Sequence, residues 1–361
     1  MAEALYVHIP FCQSLCAYCD FPKVLYRQEW AESYLSALFA ELDAYAIKKV
    51  RTIYVGGGTP SALPLPLLAK LLKKLSPLLL ENGEFTFEAN PESLSEEKIA
   101  LLASSKVNRV SLGVESSLEK YLSLMGRKHT FLKAKEAVAC LKKHGISNIN
   151  ADWIYALPGE SVEEIEREAE AFLSLGLPHL SAYTLILEDS SLFRVEGVKE
   201  AGEDEQGEQY EKVLSLLRQA GYERYEVSNF ALPGFASRHN LTYWHDEEYY
   251  GVGLGASGYL DGVRYQNTRS LSLYMKGLGL REKEERSGEE EFLLCNLRLA
   301  EGFPLASFKK RFGKDFTLAY APSLGKMKKE GLLKEKEGRI VPTDRGIECL
   351  DYVLVNLFPE V

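Results

Sequence analysis

The sequence has no uninterrupted apolar stretch of about 18 residues, the length that a membrane-spanning helix needs. It has no basic excess either, because 52 Asp and Glu against 43 Lys and Arg give a formal net charge of -9. This balance argues against broad attraction to nucleic acid or anionic lipid. The first residues, MAEALYVHIPFC, lack the basic and apolar segments of a signal peptide. We therefore expect a cytoplasmic protein with no integral membrane span and no nucleic-acid partner.

Cysteine is scarce, with six residues in a chain of 361. Three of them, Cys12, Cys16 and Cys19, crowd into eight positions, whereas the other three stand alone. A reducing compartment does not favour a disulfide framework. The crowded three, called the cysteine triad below, therefore need another explanation.

Short runs of β-branched and aromatic residues alternate with segments of helical periodicity. The predicted strands are LYVHIPF, TIYVGGG, EFTFEANP, VNRVSLGVES, NINADWIYALP and HLSAYTLILE. The predicted helices cover residues 29–48, 65–80, 95–103, 130–143 and 161–175. This alternation predicts an α/β fold with a parallel sheet, either an open doubly wound sheet or a complete or partial (β/α) barrel.

The pattern changes after Gly262. The remaining sequence predicts three helices, a small hairpin and a final helix, an order that resembles a winged-helix module. We therefore divide the chain into a body, residues 1–270, and a C-terminal domain, residues 271–361. The near-neutral charge of the last sixty residues favours a structural lid or docking domain over DNA binding.

Polar or conformationally special residues cluster at or just beyond the ends of the predicted strands. In parallel α/β folds this is the edge at which ligands bind. The residues concerned are Cys12, the run Gly56 to Thr59, Glu88, Glu115 and Asp152. The sequence therefore predicts one ligand site on this rim.

The cysteine triad has the spacing C-x3-C-x2-C on one short loop. Thiolates select iron-sulfur clusters or zinc, and structural zinc needs four closed ligands. Asp20 and Phe21 follow the triad, so no adjacent fourth thiolate exists. Three ligands on a four-iron cube leave one iron open for the amino and carboxylate groups of S-adenosylmethionine (SAM). The spacing therefore favours a [4Fe-4S] cluster with SAM over a zinc site.

This spacing resembles that of the radical SAM superfamily. The lead-in YVHIPFC, with GGGTPS, the Asn-Pro pair at 90–91, GRKHT at 126–130 and DWIYALPGES, resembles oxygen-independent coproporphyrinogen III oxidase and its relatives. The resemblance covers nearly the whole chain. It implies a partial (β/α) barrel of radical SAM type with a smaller C-terminal helical or winged-helix-like domain.

The same resemblance implies which residues lie at the cluster and SAM. Besides the triad, these are Tyr6, Tyr18, Gly57, Gly58, Thr59, Glu88, Arg127 and Asp152. Relatives usually have glutamine at the position of Glu115, so a contact between Glu115 and SAM stays open.

The segment HNLTYW, with His239, Tyr243 and Trp244, resembles the HNxxYW signature of the haem chaperone branch of this family. An imidazole beside two amphipathic aromatic rings suits an iron porphyrin. The chain also lacks the long N-terminal extension and the further cysteine of the oxidases. The resemblance thus implies a protein that binds haem or a porphyrin and passes it to an acceptor protein. If the cluster is redox active, it also implies an electron donor of flavodoxin or ferredoxin type.

Two alternatives remain open at this stage. One is the oxygen-independent oxidase itself, which decarboxylates coproporphyrinogen to protoporphyrinogen IX in porphyrin biosynthesis. The other is a winged-helix regulator stabilised by zinc, against which the net acidity and the missing fourth ligand count.

Overall fold

The computed structural model describes residues 2–189 and 191–358, so the last three residues of the predicted C-terminal domain lie outside it. The strands, numbered in chain order, are β1 (Ala4–Ile9), β2 (Phe11–Cys12), β3 (Val24–Leu25), β4 (Val50–Gly57), β5 (Leu79–Ala89), β6 (Arg109–Glu115), β7 (Asn148–Tyr155), β8 (His179–Thr184), β9 (Glu223–Glu226), β10 (Asn229–Ala231), β11 (Tyr250–Val252), β12 (Ser257–Leu260), β13 (Val263–Gln266), β14 (Lys283–Arg286), β15 (Phe303–Pro304), β16 (Leu333–Lys336) and β17 (Arg339–Pro342). The α-helices are α1 (Gln28–Ala44), α2 (Leu65–Leu75), α3 (Glu96–Ser104), α4 (Glu119–Leu124), α5 (Phe131–Lys143), α6 (Val162–Leu173), α7 (Leu192–Val195), α8 (Glu203–Gln219), α9 (Arg238–Trp244), α10 (Leu271–Tyr274), α11 (Glu289–Asn296), α12 (Leu305–Phe312), α13 (Phe316–Ala319), α14 (Ala321–Lys329), α15 (Asp344–Glu348) and α16 (Leu350–Leu357). In this part of the chain, no helix has the length and apolar character that crossing a membrane would require.

The main sheet contains nine strands in the order β11-β1-β4-β5-β6-β7-β8-β10-β9. The first seven run parallel, and β10 and β9 add an antiparallel edge. The six predicted strands are β1 and β4 to β8, which are consecutive neighbours in this sheet. Its outer strands, β11 and β9, do not pair with each other within the described residues. The predicted α/β fold with a partial barrel is therefore confirmed.

The two faces of the sheet differ in polarity because successive side chains of a strand point to opposite sides. On β4, Ile53 and Val55 are fully buried in the apolar core formed with the helices. Thr52 and Tyr54 alternate with them and point to the other face. The registers align the inward positions of neighbouring strands, with Glu88 beside Ser111 on β6. The inner face of the barrel is consequently polar and can receive a polar ligand.

Local signals explain where the predicted helices begin and end. Ser95, Thr130 and Ser161 are N-caps whose side chains accept hydrogen bonds from backbone N–H groups of the first turn. Helix α1 ends before its predicted bound because Ala46 has the left-handed φ of 49°. Helix α2 ends at Leu75, before its predicted bound, and a short 3-10 turn over Ser76–Leu78 follows it.

The C-terminal segment forms a second hydrophobic core, which includes Phe292, Phe303 and Phe308. The predicted hairpin is β16–β17, and β15 extends it to three strands. Helices α11, α12 and α14 match the three predicted helices, α15 and α16 divide the predicted final helix at Cys349, and α13 is an additional short helix. The sheet β12-β13-β14 spans position 270, and the division at 270/271 stays a prediction.

Candidate functional site

A cavity of about 450 Å³ opens at the carboxyl ends of the parallel strands. Eleven of the predicted site residues line it: Cys12, Cys16, Tyr18, Cys19, Gly57, Gly58, Thr59, Glu88, Glu115, Arg127 and Asp152. The other four predicted residues, Tyr6, His239, Tyr243 and Trp244, do not line it. The structure therefore brings together the residues predicted for the cluster and SAM but separates most of the segment predicted to bind haem from them.

Hydrogen-bond donors reach two sulfur atoms of the cysteine triad. The Thr59 hydroxyl donates to Cys12 Sγ at 3.6 Å, and Arg127 Nη1 donates to Cys16 Sγ at 3.4 Å. Burial raises the pKa of the Cys12 thiol to about 11, so a thiolate there needs a positive partner such as a metal centre. Donors of this kind are the usual outer shell of metal-bound sulfur.

The separation of the sulfur atoms distinguishes a cluster from a single metal ion. Among the described residues, the triad does not form a group whose ligand atoms all lie within 4.8 Å of one another. Tetrahedral zinc has Zn–S bonds of about 2.3 Å and holds its ligands closer together than this. The spread of the triad therefore favours a multi-iron cluster over mononuclear zinc.

The glycine run at the end of β4 allows three close approaches within the protein. A Cβ atom at Gly56 would lie 2.8 Å from the Glu88 carboxyl group, and one at Gly57 would lie 2.6 Å from the ring of His8. At Gly58 a Cβ atom would lie 2.8 Å from the carbonyl carbon of Pro10 and 2.9 Å from Cys12 Sγ. Gly57 also has a φ of 120°, which favours glycine. The run thus packs β4 directly against the loop that carries the triad.

Two half-buried carboxyl groups, those of Glu88 and Asp152, line the cavity. Glu88 accepts hydrogen bonds from the Tyr54 hydroxyl at 2.7 Å and the Gly57 N–H at 3.0 Å. Burial raises its pKa to about 7. Burial also raises the pKa of Asp152, which accepts a hydrogen bond from Asn150 Nδ2 at 2.8 Å. Both groups can accept hydrogen bonds from hydroxyl or amino groups of a ligand.

Glu115 and Arg127 form a buried ion pair beside Cys16, with 3.6 Å between Glu115 Oε1 and Arg127 Nη2. Burial raises the pKa of Glu115 to about 7, although Arg127 opposes the shift. Glu115 adopts a φ of 66°, an uncommon value for a residue with a side chain. Its Oε2 and Arg127 Nε have no hydrogen-bond partner among the described residues. Buried polar atoms are normally satisfied, so these orphaned atoms fit a site for a polar cofactor.

Arg109 was missed by the sequence reasoning. It lines the cavity, it is only 1% exposed, and its Nε has no partner among the described residues. Its charge lowers the pKa of both Glu88 and Asp152, against the effect of burial. The alternation Arg109, Ser111, Gly113, Glu115 along β6 is the signal that would have placed it on the inner face.

His239 lies inside the barrel and is fully buried. Its Nδ1 is 2.8 Å from the Thr52 hydroxyl, and its Nε2 is 2.7 Å from the Tyr243 hydroxyl. Burial lowers its pKa to about 3, with a smaller contribution from Arg109. Both ring nitrogens are therefore engaged within the protein.

The other residues of the segment predicted to bind haem differ in their relation to the cavity. Asn240, next to His239, lines the cavity. The ring of Trp244 is half-buried, and the guanidinium carbon of Arg298 lies over it, 4.6 Å from the ring centroid.

Tyr6 does not line the cavity, but its hydroxyl lies 2.9 Å from His8 Nδ1. His8 Nε2 in turn donates to the carbonyl of Pro22, which follows the triad in the chain. Tyr6 thus supports the triad loop through His8.

Three cysteines on the loop after the first strand of a partial (β/α) barrel, above a polar cavity, define a radical SAM protein. Residues 6–172 match the family described as Radical SAM superfamily, and residues 289–348 match the HemN C-terminal domain. A solved structure of coproporphyrinogen III oxidase (HemN) from Escherichia coli shares this fold with a TM-score of 0.85 at 21% identity, covering 99% of this chain and 90% of that chain.

Several relatives carry the name heme chaperone HemW. The protein from Lactococcus lactis is 42% identical over 96% of this chain and 94% of its own length. The proteins from Bacillus subtilis and Escherichia coli are 33% and 35% identical, covering 95% and 84% of this chain and 96% and 85% of their own lengths. The chain therefore belongs to the heme chaperone HemW family of the radical SAM superfamily.

Proposed function

We propose that this chain is a haem chaperone that carries a [4Fe-4S] cluster on the cysteine triad and binds SAM in the adjoining cavity. The observation that carries the proposal is the triad loop above a cavity lined by the polar residues predicted for SAM. The relatives named heme chaperone, which align along almost the whole chain, support the choice of haem as cargo.

The residues around the triad fit both cofactors. Thr59 and Arg127 would stabilise the sulfur charge, since each donates to a triad sulfur. Glu88 and Asp152 would accept hydrogen bonds from SAM, and the unpaired Oε2 of Glu115 would be a third acceptor. When bound, the cluster supplies an open iron and a transferable electron to SAM. A low-potential electron donor of flavodoxin or ferredoxin type is the partner that such chemistry requires.

We assign a different role to each of the two predicted domains. Residues 1–270 would hold the cofactors, and residues 271–361 would form the smaller docking domain. The two are joined through buried Asp246, which pairs with Arg264 and with Arg311 on α12. The haem acceptor would be a second protein. The six cysteines form no disulfide among the described residues, which supports a location in the reducing cytoplasm.

His239, Tyr243 and Trp244 remain the predicted haem residues. Ligation by His239 requires α9 to open, because both nitrogens of its ring are engaged. His245 ends the same helix with its side chain 35% exposed, and its Nε2 lies 2.8 Å from Glu301. It is the accessible alternative ligand in this segment.

The proposal is tested by anaerobic reconstitution of the full chain with iron and sulfide, followed by haem titration of the unmutated protein, His239→Ala and His245→Ala. We expect the unmutated protein to bind haem tightly. We expect one of the two variants to bind haem more weakly, or to bind it with a shifted Soret band. Iron and sulfide content should be the same in all three proteins. Haem binding no tighter than to an unrelated acidic protein would overturn the chaperone assignment.

The oxidase is the second candidate, because the fold matches that of a coproporphyrinogen III oxidase along nearly the whole chain. At 21% identity this likeness extends to the fold alone. The same reconstituted protein, supplied with SAM and a low-potential reductant, should leave coproporphyrinogen unchanged. Decarboxylation with turnover would assign the oxidase instead.

A further inference from the structure

Three metal-ligating side chains of different chemistry meet away from the cavity, on the outer helices α3 and α5. They are Glu96, Cys140 and His144, and one ligand atom from each lies within 4.8 Å of the other two. His144 Nε2 lies 3.3 Å from Glu96 Oε1. None of the three lines the cavity.

Helix geometry explains why these side chains converge. Residues four apart lie on one face of a helix, and Cys140 and His144 have this spacing. The helical turn continues to His144, whose backbone N–H donates to the Cys140 carbonyl at 3.1 Å. Helix α3 packs against α5 and presents its first residue, Glu96, to this face. The two helices therefore supply a thiol, an imidazole and a carboxylate to one point.

We propose that Glu96, Cys140 and His144 bind one zinc ion. Sulfur, imidazole nitrogen and carboxylate oxygen are the ligand types of protein zinc sites, and three protein ligands leave a fourth position for water. A thiolate with an imidazole selects zinc over magnesium or calcium, which prefer oxygen ligands. The ion would contact both α3 and α5 on the outside of the barrel, in a site of the open type that differs from the closed structural type with four protein ligands.

Two groups must change when the ion binds. Lys143 Nζ donates to Glu96 at 2.9 Å and would be displaced. The Cys140 thiol, whose pKa burial and the charge of Glu96 raise, would release its proton to the solvent. Lys143 thus competes with the metal for the Glu96 carboxylate, so removing the lysine charge should increase the affinity for zinc.

The test is a titration of zinc chloride into the full chain with its cluster assembled, so that the triad is occupied. The unmutated protein is compared with Cys140→Ser, His144→Gln and Glu96→Gln. We expect one zinc per chain beyond any bound by Cys140→Ser. Each variant should weaken binding by at least the roughly tenfold that loss of even an outer-shell partner costs. Lys143→Gln, by contrast, should tighten binding, because it removes the competing cation.

Cys349 supplies the matched control, since it is an exposed free cysteine elsewhere on the chain. Cys349→Ser should bind zinc like the unmutated protein. As a second measurement, zinc should protect Cys140 but not Cys349 from alkylation, read by peptide mass spectrometry. Equal zinc uptake by the unmutated protein, Cys140→Ser and His144→Gln, or alkylation of Cys140 at the same rate with and without zinc, would overturn the proposal.

Discussion

Gly58 gives the sharpest test of how the glycine run serves the site. The family resemblance implies that Gly58 lies at the cluster and SAM, and if glycine there only gives SAM room, a larger residue would block SAM and spare the cluster. In the structure, a Cβ at this position meets the carbonyl carbon of Pro10 at 2.8 Å and Cys12 Sγ at 2.9 Å. We therefore expect Gly58→Ala to disturb the cluster first.

The size of the effect follows from the contacts. Ordinary van der Waals contact begins at about 3.4 Å, so Pro10 or Cys12 must move by roughly half an ångström. Two of the three nearest atoms belong to the Pro10 backbone, which cannot rotate away as a side chain would. Overpacking of this kind costs about 1–3 kcal/mol. If the whole cost falls on the cluster-binding state, cluster affinity drops roughly 5- to 150-fold.

The assay is iron and sulfide content after anaerobic reconstitution, followed by SAM titration. Gly207→Ala is the matched control, because a Cβ there meets nothing within 4 Å and the residue lies on α8. It should leave the cluster intact and stabilise the helix by about 0.5–1 kcal/mol. If Gly58→Ala keeps its full cluster content but binds SAM more weakly, the glycine serves the approach of SAM and not the cluster loop. If both cluster content and SAM binding are unchanged, the steric reasoning is refuted.

Three further predictions use other parts of the molecule. Replacing any one residue of the cysteine triad by alanine should abolish the cluster absorbance, whereas Cys349→Ala, at an exposed position, should retain it. Burial, with the nearby Glu168 carboxyl group, raises the pKa of Glu160 to about 10, so the folded state holds a proton that the unfolded chain releases above about pH 4.5. This contribution to stability is complete below that pH and is lost as the pH rises toward 10. Glu160→Gln should therefore gain stability relative to the unmutated protein as pH rises from 5.5 to 8.5 in denaturant titrations, and a constant difference would contradict the assignment. Asp246→Asn removes the shared anionic partner of Arg264 and Arg311 and should lower the free energy of unfolding by about 2–4 kcal/mol; a change below about 0.5 kcal/mol would show that this contact does not hold the C-terminal domain.

Much of the fold could be predicted because its signals are local. The runs of β-branched and aromatic residues that form the strands, and the glycine run, are each written within a few residues, and each appears in the structure where it was expected. Strands β9 to β14 were not predicted. They are three or four residues long, and most of them pair antiparallel in an edge or a side sheet. Runs this short carry too few residues to establish a period.

The candidate site was predictable to the extent that it depends on strand ends. Cys12, Glu88 and Asp152 line one cavity because parallel strands end at the same rim. The sequence has no comparable local signal for how deep a side chain lies within the barrel. Nothing in the letters HNLTYW shows that His239 lies beside Thr52, near the start of β4 and away from the rim.

The burial of His239 changes how a haem-binding defect should be interpreted. Its ring packs on Tyr54 with 5.2 Å between centroids, and the Tyr54 hydroxyl donates to Glu88 in the cavity wall. Removing the imidazole would therefore loosen Tyr54 and, through it, the Glu88 carboxylate. Weaker haem binding in His239→Ala identifies a haem ligand only when SAM affinity stays the same. When both affinities fall together, His239 is a positioning residue that supports the cavity wall through Tyr54, and the accessible His245 becomes the ligand to pursue.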